Sequence, residues 1–270
     1  MPSKNPTVAH GERLRPSYNG PVSSLAAEER RRWLLAELRA SKTVSLAAAA
    51  TALGVSEMTV RRDLNSIEQS GVARRVRGGA VYSGPVNFQG RERSHVEEKR
   101  LVAEKILPLI PPRGVIAIDS STTMHRLAQM ISSSDDLVVV TNGLLTFQAL
   151  QDRPGVTAIL TGGESDRRSD SLVGPVATAF LEGIKFSAFF ASAAAIDARS
   201  CYEDTLEEAE IKRAFMRSAT RLVIGVHSEK LDGNATAASI PLDRVGVLAT
   251  ELDPASAGLA TYSALALELR

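Results

Sequence analysis

Apolar positions in the first third of the chain recur three and four residues apart. Leu34 and Leu38 are four apart, with Leu35 beside them and arginines on the other side, so a helix runs from about Leu25. Ser45 opens a second, short helix carrying Leu46, Ala49, Ala50 and Leu53, which Gly54 ends. Ser56 is placed to cap a third helix that reaches about Ser70 and stops at Gly71, with Val60, Leu64 and Ile67 as its inward stripe. Two short apolar runs, 72–76 and 80–82, flank Arg77-Gly78-Gly79 and predict a small β-hairpin.

Past residue 82 the pattern changes. Residues 83–95, with Gly84, Pro85 and Gly90, read as a linker, and a helical pattern resumes over 96–110. Short runs rich in Val and Ile then recur at 115–119, 137–141, 156–161, 188–193, 221–226 and 245–250, separated by helix-length stretches. That alternation predicts parallel βαβ units with both faces of the sheet covered, hence an α/β fold. Residues 1–24, with Pro2, Pro6, Pro16 and Pro21 among polar neighbours, read as a disordered arm. The expected layout is an arm at 1–24, a small helical domain at 25–82, a linker at 83–95, an α/β domain at 96–255 and an extension at 256–270.

Composition narrows the function. At 44% apolar and 23% charged residues, 270 residues suffice for a sizeable core. No apolar run nears the ~18 residues of a membrane span, the N-terminus lacks a signal-peptide core, and the cytoplasm is the expected location, with no membrane partner. Cys201 is the only cysteine, which excludes an intrachain disulfide and a Cys-rich zinc site. No cofactor and no metal is expected. Residues 25–82 carry ten Lys/Arg against six Asp/Glu, whereas 83–270 carry nineteen against twenty-four. A basic small domain beside an acidic body suits a polyanionic partner for the small domain.

The third helix presents Met58, Arg62, Asn65 and Gln69 opposite its apolar stripe, with Thr59 and Arg61 on the shoulders. Short polar residues and paired arginines near a helix N-terminus are what entry into a DNA major groove needs, since arginine donates two bonds to guanine and free backbone N–H groups face phosphate. The hairpin adds Arg74, Arg75 and Arg77 around Gly78 and Gly79, a wing able to reach phosphates or the minor groove. Arg13 and Arg15 could extend the contact from the arm. By periodicity alone, a solvated helix face reads equally well. The stretch VSLAAAATALGVSEMTVRRDLNSIEQSGVARRVRGGAV, however, closely resembles the DNA-binding domain of the DeoR family of bacterial regulators. The resemblance implies a winged helix-turn-helix over 25–82 with double-stranded operator DNA as partner. It aligns Ser56, Thr59, Arg61 and Arg62 with the family's recognition helix, and Arg77 stands where a histidine is common.

In the second domain, Asp119 ends a strand and Ser120, Ser121, Thr122 and Thr123 open a helix. Hydroxyls and N–H groups at a helix start form an oxyanion cradle, or simply an N-cap. Two further strand ends carry Thr141-Asn142-Gly143 and Thr161-Gly162-Gly163, and such ends gather at the carboxyl edge of a parallel sheet, where ligands bind. Neither a P-loop nor a GxGxxG fingerprint is present, so no nucleotide is indicated. Lys212, in LEEAEIKRAF, pairs with a ligand phosphate or with an acidic neighbour, and Lys230 is a further cation. The motifs DSSTT, VVTNG, LTGGE, SLVGP, AIDA and EEAEIKRAF resemble the effector domain of the same family. The resemblance implies a fold related to ribose-5-phosphate isomerase that senses phosphorylated sugars. Two departures stand out: alanines 193–195 replace a glycine-rich run, and His227 replaces an aspartate. Lost glycines tighten the pocket.

The expected function is a transcriptional regulator, a repressor by family default, answering to a small phosphorylated metabolite. Two alternatives stand beside it. One is a sugar-phosphate isomerase with Asp119, Glu210 and Lys212 as its acid–base groups. The other is a DNA-binding protein that no longer takes a ligand. A single winged domain has a small footprint, so a homo-oligomer, at least a dimer, is expected, with the Ala- and Leu-rich segment 256–270 in its interface.

Overall fold

The structure, a computed structural model, describes residues 22–69, 72–82 and 87–270. Most of the expected arm and the helix stop at Gly71 lie outside the described residues. The chain forms two compact units.

In the small unit, α1 (Val22–Ser41), β1 (Thr43–Ser45), α2 (Leu46–Leu53) and α3 (Glu57–Gln69) are followed by β2 (Ala73–Val76) and β3 (Gly79–Tyr82). Leu34, Leu38, Val60 and Leu64 are fully buried and Ile67 nearly so, as the helical spacing predicts. Gly54 ends α2 at φ 63, a left-handed cap that an L side chain resists. Arg30 reaches from α1 to the buried Asp63 of α3 at 2.8 Å. The hairpin is the wider part of a three-stranded sheet in the order β1-β3-β2. β1 escapes a pattern reading because three residues hold too few alternations. Ser45 pairs with Gly79, and a Cβ on Gly79 would lie 2.0 Å from the Val44 carbonyl oxygen. That contact with backbone cannot be relieved by a side-chain rotation.

The large unit opens with α4 (Phe88–Arg93), capped by Asn87, then α5 (Val96–Ile106). The expected linker therefore includes a helix, and Phe88 is buried, its ring edge-on to His125 at 5.5 Å. The elements that follow are β4 (Arg113–Ile118), α6 (Thr122–Met130), β5 (Asp136–Thr141), α7 (Leu144–Leu150), β6 (Val156–Leu160), β7 (Glu164–Asp166), β8 (Ser171–Val173), α8 (Pro175–Phe180) and β9 (Phe186–Ala191). After them come β10 (Ala195–Ile196), β11 (Ser200–Glu203), α9 (Leu206–Ser218), β12 (Ala219–Gly225), β13 (Ala237–Pro241), β14 (Val247–Ala249), α10 (Ala260–Ser263) and β15 (Glu268–Leu269).

Seven strands form one sheet in the order β15-β14-β12-β9-β4-β5-β6, every pair parallel. Alternate residues supply two cores. Ile116, Ile118, Val139 and Phe190 face α5 and α6 residues such as Val102 and Leu127, while Ala117, Val140 and Phe189 face Ile211 and Phe215 of α9. All six strands expected from the sequence are present. The segment 256–270 is not a free extension: Tyr262 is fully buried, and β15 pairs with β14 as an edge strand. The chain runs outward from β4 through β5 and β6, then returns to place β9 on the other side of β4. That reversal opens a crevice beyond the carboxyl ends of β4 and β9.

Replacing Gly79 by alanine should break the β1–β3 pairing. We expect a loss of about 1–3 kcal/mol, the usual cost of overpacking, read in full-length protein as earlier unfolding of the small unit by circular dichroism or hydrogen exchange.

Candidate functional site

On the small unit, Ser56 caps α3, its hydroxyl accepting the Thr59 N–H at 3.2 Å. Met58, Arg61, Arg62 and Asn65 are exposed, Met58 at 63%, and Thr59 is half-buried. An exposed methionine beside two arginines, opposite a buried stripe, is a face built for a partner rather than for packing. In the hairpin, Arg74, Arg77 and Gly78 are exposed, and Gly78 takes the turn at φ 85. Gly79 is buried in the strand pairing and Arg75 donates to the Asn65 side chain, so these serve the wing's own architecture.

At the sheet crossover, Asp119 is fully enclosed. Its Oδ1 accepts the Ser121 N–H at 2.8 Å and its Oδ2 the Ser192 N–H at 2.9 Å. Lys212 lies 3.1 Å from Asp119 Oδ2 and 2.9 Å from Glu203 Oε1, and donates to the Ser192 carbonyl at 2.6 Å. Burial pushes the Glu203 carboxyl up to about 7, against the pull of Lys212. Burial also opposes the charge on Lys212, but Glu203 and Asp119 outweigh it and hold the ammonium above its ordinary range. The second sequence reading of Lys212, an ion pair with acidic neighbours, is the one realised, though in the core rather than at the surface.

Beside this knot lies a cavity of about 170 Å³. Ser120, Ser121 and Thr122 line it from the start of α6, Ala193 and Ala194 from the end of β9, and His227 and Lys230 from the end of β12. Arg91 and Lys99 close one side, Asp204 and Glu208 another. Lys99 is 2% exposed and donates to the carbonyls of Arg91 and Ser94. Lys230 donates to the Ala193 carbonyl and, at 3.4 Å, to the Ser192 hydroxyl. Neither forms an ion pair with a carboxylate among the described residues. Burial, then the charges of Lys230, Arg91 and Arg126, push the Lys99 ammonium down to about 7. Burial and Lys212 push Lys230 down to about 8. A larger cleft of about 340 Å³ opens elsewhere, between Arg199, Asp243 and Leu265. It lies away from the strand crossover and holds one cation and one anion, so it offers no surplus of charge.

Lys212 and Glu203 of the knot also reach the cavity wall, and the other sequence candidates do not line it. Asp119 spends both oxygens on the knot, and Thr123 is buried within α6 with its hydroxyl unpaired. Thr141, Asn142 and Gly143 are covered by the β7–β8 hairpin, to which Asn142 is tied at 2.7 and 3.2 Å. Gly143 is a packing glycine: a Cβ there would meet the Ser120 Cα at 2.8 Å. Gly162 and Gly163 take φ 74 and 115, and a Cβ on Gly163 would strike the Val173 carbonyl at 2.6 Å. These glycines let the chain turn and approach itself closely. Glu210 pairs at the surface with Arg213 at 2.9 Å, away from Asp119, so the acid–base set of an isomerase is not assembled.

Residues 94–251 match the family described as DeoR C terminal sensor domain, and residues 30–85 the family described as DeoR-like helix-turn-helix domain. The chain belongs to the DeoR family. DeoR relatives of this chain are transcriptional regulators. The putative aga operon transcriptional repressor of Escherichia coli O157:H7 is 28% identical over 237 residues, covering 85% of this chain and 88% of that one. The regulator GolR of Listeria innocua is 31% identical over 204 residues, covering 74% and 80%. The lactose phosphotransferase system repressor of Staphylococcus aureus is 34% identical over 166 residues, covering 58% and 65%. Among solved structures, ribose 5 phosphate isomerase A from Neisseria gonorrhoeae is 14% identical and covers 49% of this chain and 52% of that one, with a TM-score of 0.35. The DeoR match makes this chain a DNA-binding transcriptional regulator with a sensor domain, as its motifs predict.

Four cavity residues of this DeoR sensor escape the sequence reading: Arg91, Lys99, Glu203 and Asp204. One signal for Lys99 was present. It shares a helical stripe with Val102, Ala103 and Ile106, all buried, and a lysine on an apolar stripe is a buried charge in need of a purpose.

Lys212→Met should cost about 3–5 kcal/mol, because it strands two buried carboxylates. The loss should be smaller at pH 5 than at pH 8. Glu203, already at about 7 with the lysine present, takes up a proton once the lysine is gone and is neutral at pH 5. Denaturant unfolding at the two pH values reads the difference.

Proposed function

We propose that this DeoR-family protein represses transcription from an operator and that a phosphorylated sugar in the 170 Å³ cavity modulates its grip on DNA. The observation that carries the reading is the pair of ammonium groups, Lys99 and Lys230, in the cavity wall without an ion-pair partner among the described residues. Burial disfavours the charged form of both amines, and a phosphate placed between them favours protonation of both and is held by the resulting charges. Ser120, Ser121 and Thr122 supply hydroxyls and helix N–H groups at the same cavity. Asp204 and Glu208, also in the cavity wall, are acceptors suited to sugar hydroxyls. The cavity is small beside pockets for drug-sized ligands, roughly 300–1,000 Å³, which favours a compact, highly charged metabolite. The domain limits read from the sequence remain our assignment, with α4 joined to the sensor. The regulator acts in the cytoplasm and reads repeated half-sites as a homo-oligomer, and its C-terminal segment supplies the edge strand β15 of the sensor sheet.

Two experiments test this. A sugar phosphate at ~100 times its Kd should stabilise the protein by about 2.7 kcal/mol, seen as a rise in Tm across a panel that includes the unphosphorylated sugars. Lys99→Met should bind operator like wild type yet lose the rise and the effector response; Thr122→Glu, which places an acid in the cradle, should behave alike. Wild-type sensitivity in both variants would put the effector elsewhere.

Arg61, Arg62 and Met58 are our choice for base-edge contacts, with Arg74 and Arg77 on phosphate. Arg62→Ala should weaken operator binding by about 1–3 kcal/mol and relax sequence preference. Arg77→Ala should weaken binding to all sequences alike and flatten the salt dependence. Titrations against operator and scrambled duplex at several salt concentrations separate the two roles.

A further inference from the structure

One corner of the sensor unit brings together three groups that effector binding does not require. His95 precedes α5 at φ 51, and its side chain makes no capping bond. Its imidazole stacks on that of His227, centroids 4.2 Å apart and planes 12° from parallel. Glu229 follows His227 by two residues on the turn Ser228–Lys230, and its Oε2 lies 3.2 Å from His95 Nε2. One ligand atom from each of the three lies within 4.8 Å of the other two. His227 is 6% exposed, and its enclosed Nδ1 has no hydrogen-bond partner.

We propose that His95, His227 and Glu229 form a binding site for a divalent transition metal, with Zn²⁺ the best match. Two imidazole nitrogens and one carboxylate oxygen are a borderline donor set that suits zinc, whereas Mg²⁺ and Ca²⁺ take oxygen alone. Zinc bonds of about 2.0–2.2 Å place tetrahedral ligand atoms roughly 3.3 Å apart. Closing to that spread takes small side-chain movements. Glu229 is exposed and free to swing, His95 is partly exposed, and no hydrogen bond at Nδ1 pins the His227 ring. One imidazole must turn out of the stack, because parallel rings aim their lone pairs in parallel. A His-x-Glu pair on one turn plus a histidine from a neighbouring helix start gives three ligands and leaves a coordination position open. Lys99 and Lys230 stand on the same side of the unit and repel a cation, so the affinity is below that of a four-ligand structural zinc. His227 also lines the sensor cavity, and a metal held there adds positive charge to its anion-binding side.

The test uses full-length protein stripped with a chelator and then titrated with zinc chloride by calorimetry, with Co²⁺ as the absorbing substitute. The site requires saturation at one metal per chain and visible Co²⁺ bands of a low-coordinate nitrogen–oxygen site. His95→Ala and Glu229→Gln, both outside the core, should each weaken binding at least about tenfold, with unchanged melting of the metal-free protein. The chain has four histidines, and His125→Ala should bind as wild type. His227→Ala should abolish the Co²⁺ bands. Absence of saturation near one equivalent, or wild-type affinity in a His95→Ala, Glu229→Gln double variant, overturns the proposal.

Discussion

The carboxylate of Asp119 joins the two halves of the sensor sheet. β4 and β9 are neighbours because the chain doubles back, and their backbone pairing ends at the Asp119 N–H, which donates to the Phe190 carbonyl at 3.0 Å. Asp119 accepts the Ser121 N–H from its own turn and the Ser192 N–H from the end of β9. A buried carboxylate that spans two chain segments needs a cation, and Lys212 of α9 provides it. The lysine in turn satisfies Glu203 of β11 and the Ser192 carbonyl. The turn after β4 thus meets the end of β9, β11 and α9 around one charge, beside the cavity.

Two kinds of lysine meet at the cavity, with Lys212 and Lys99 buried and Lys230 half-buried. Lys212 is compensated, with carboxylates at 3.1 and 2.9 Å, so it is structural and has little charge to offer a ligand. Lys99 and Lys230 are held by carbonyl and hydroxyl oxygens, which orient an ammonium without neutralising it. The sensor's excess of acidic residues offers no long-range attraction to an anion, so capture falls to these local groups.

The strands and both long helices of the DNA-reading unit were legible because each repeats a period of two or 3.6 several times. β1, β7, β8, β10, β11, β13 and β15 were not: all lie outside the hydrophobic βαβ alternation, and at two to five residues they are too short to carry a period of their own. The cavity was legible where local chemistry decides: the hydroxyl run from Ser120 to Thr122 lines it. It was misread where small residues serve the backbone. Gly143 and Gly163 carry the same motif signature that a ligand cradle would, yet what approaches them is the chain itself, at Ser120 and Val173. Arg91 was hidden by a segment rich in turn formers, whose helix rests on burial of Phe88 rather than on propensity. The paired histidines were hidden because His95 and His227 are 132 positions apart in the chain, and only the fold stacks them.

If the proposed site holds the effector, its occupancy must change the grip of the helix-turn-helix on DNA, and thermodynamics limits how. An effector shifts the balance between DNA-competent and incompetent states only by its difference in affinity for the two. The same factor must appear in reverse, with operator DNA changing effector affinity equally. The unpaired lysines suit this role because their cost depends on conformation. Any state that brings Lys99 and Lys230 closer is disfavoured while the cavity lacks an anion, and is released when a phosphate sits between them. A sensor built on a neutral pocket would have only packing to distinguish its states. In the proposed site the discriminating energy would be electrostatic, would act in a poorly solvated cavity, and would be screened less by salt than the contacts with DNA.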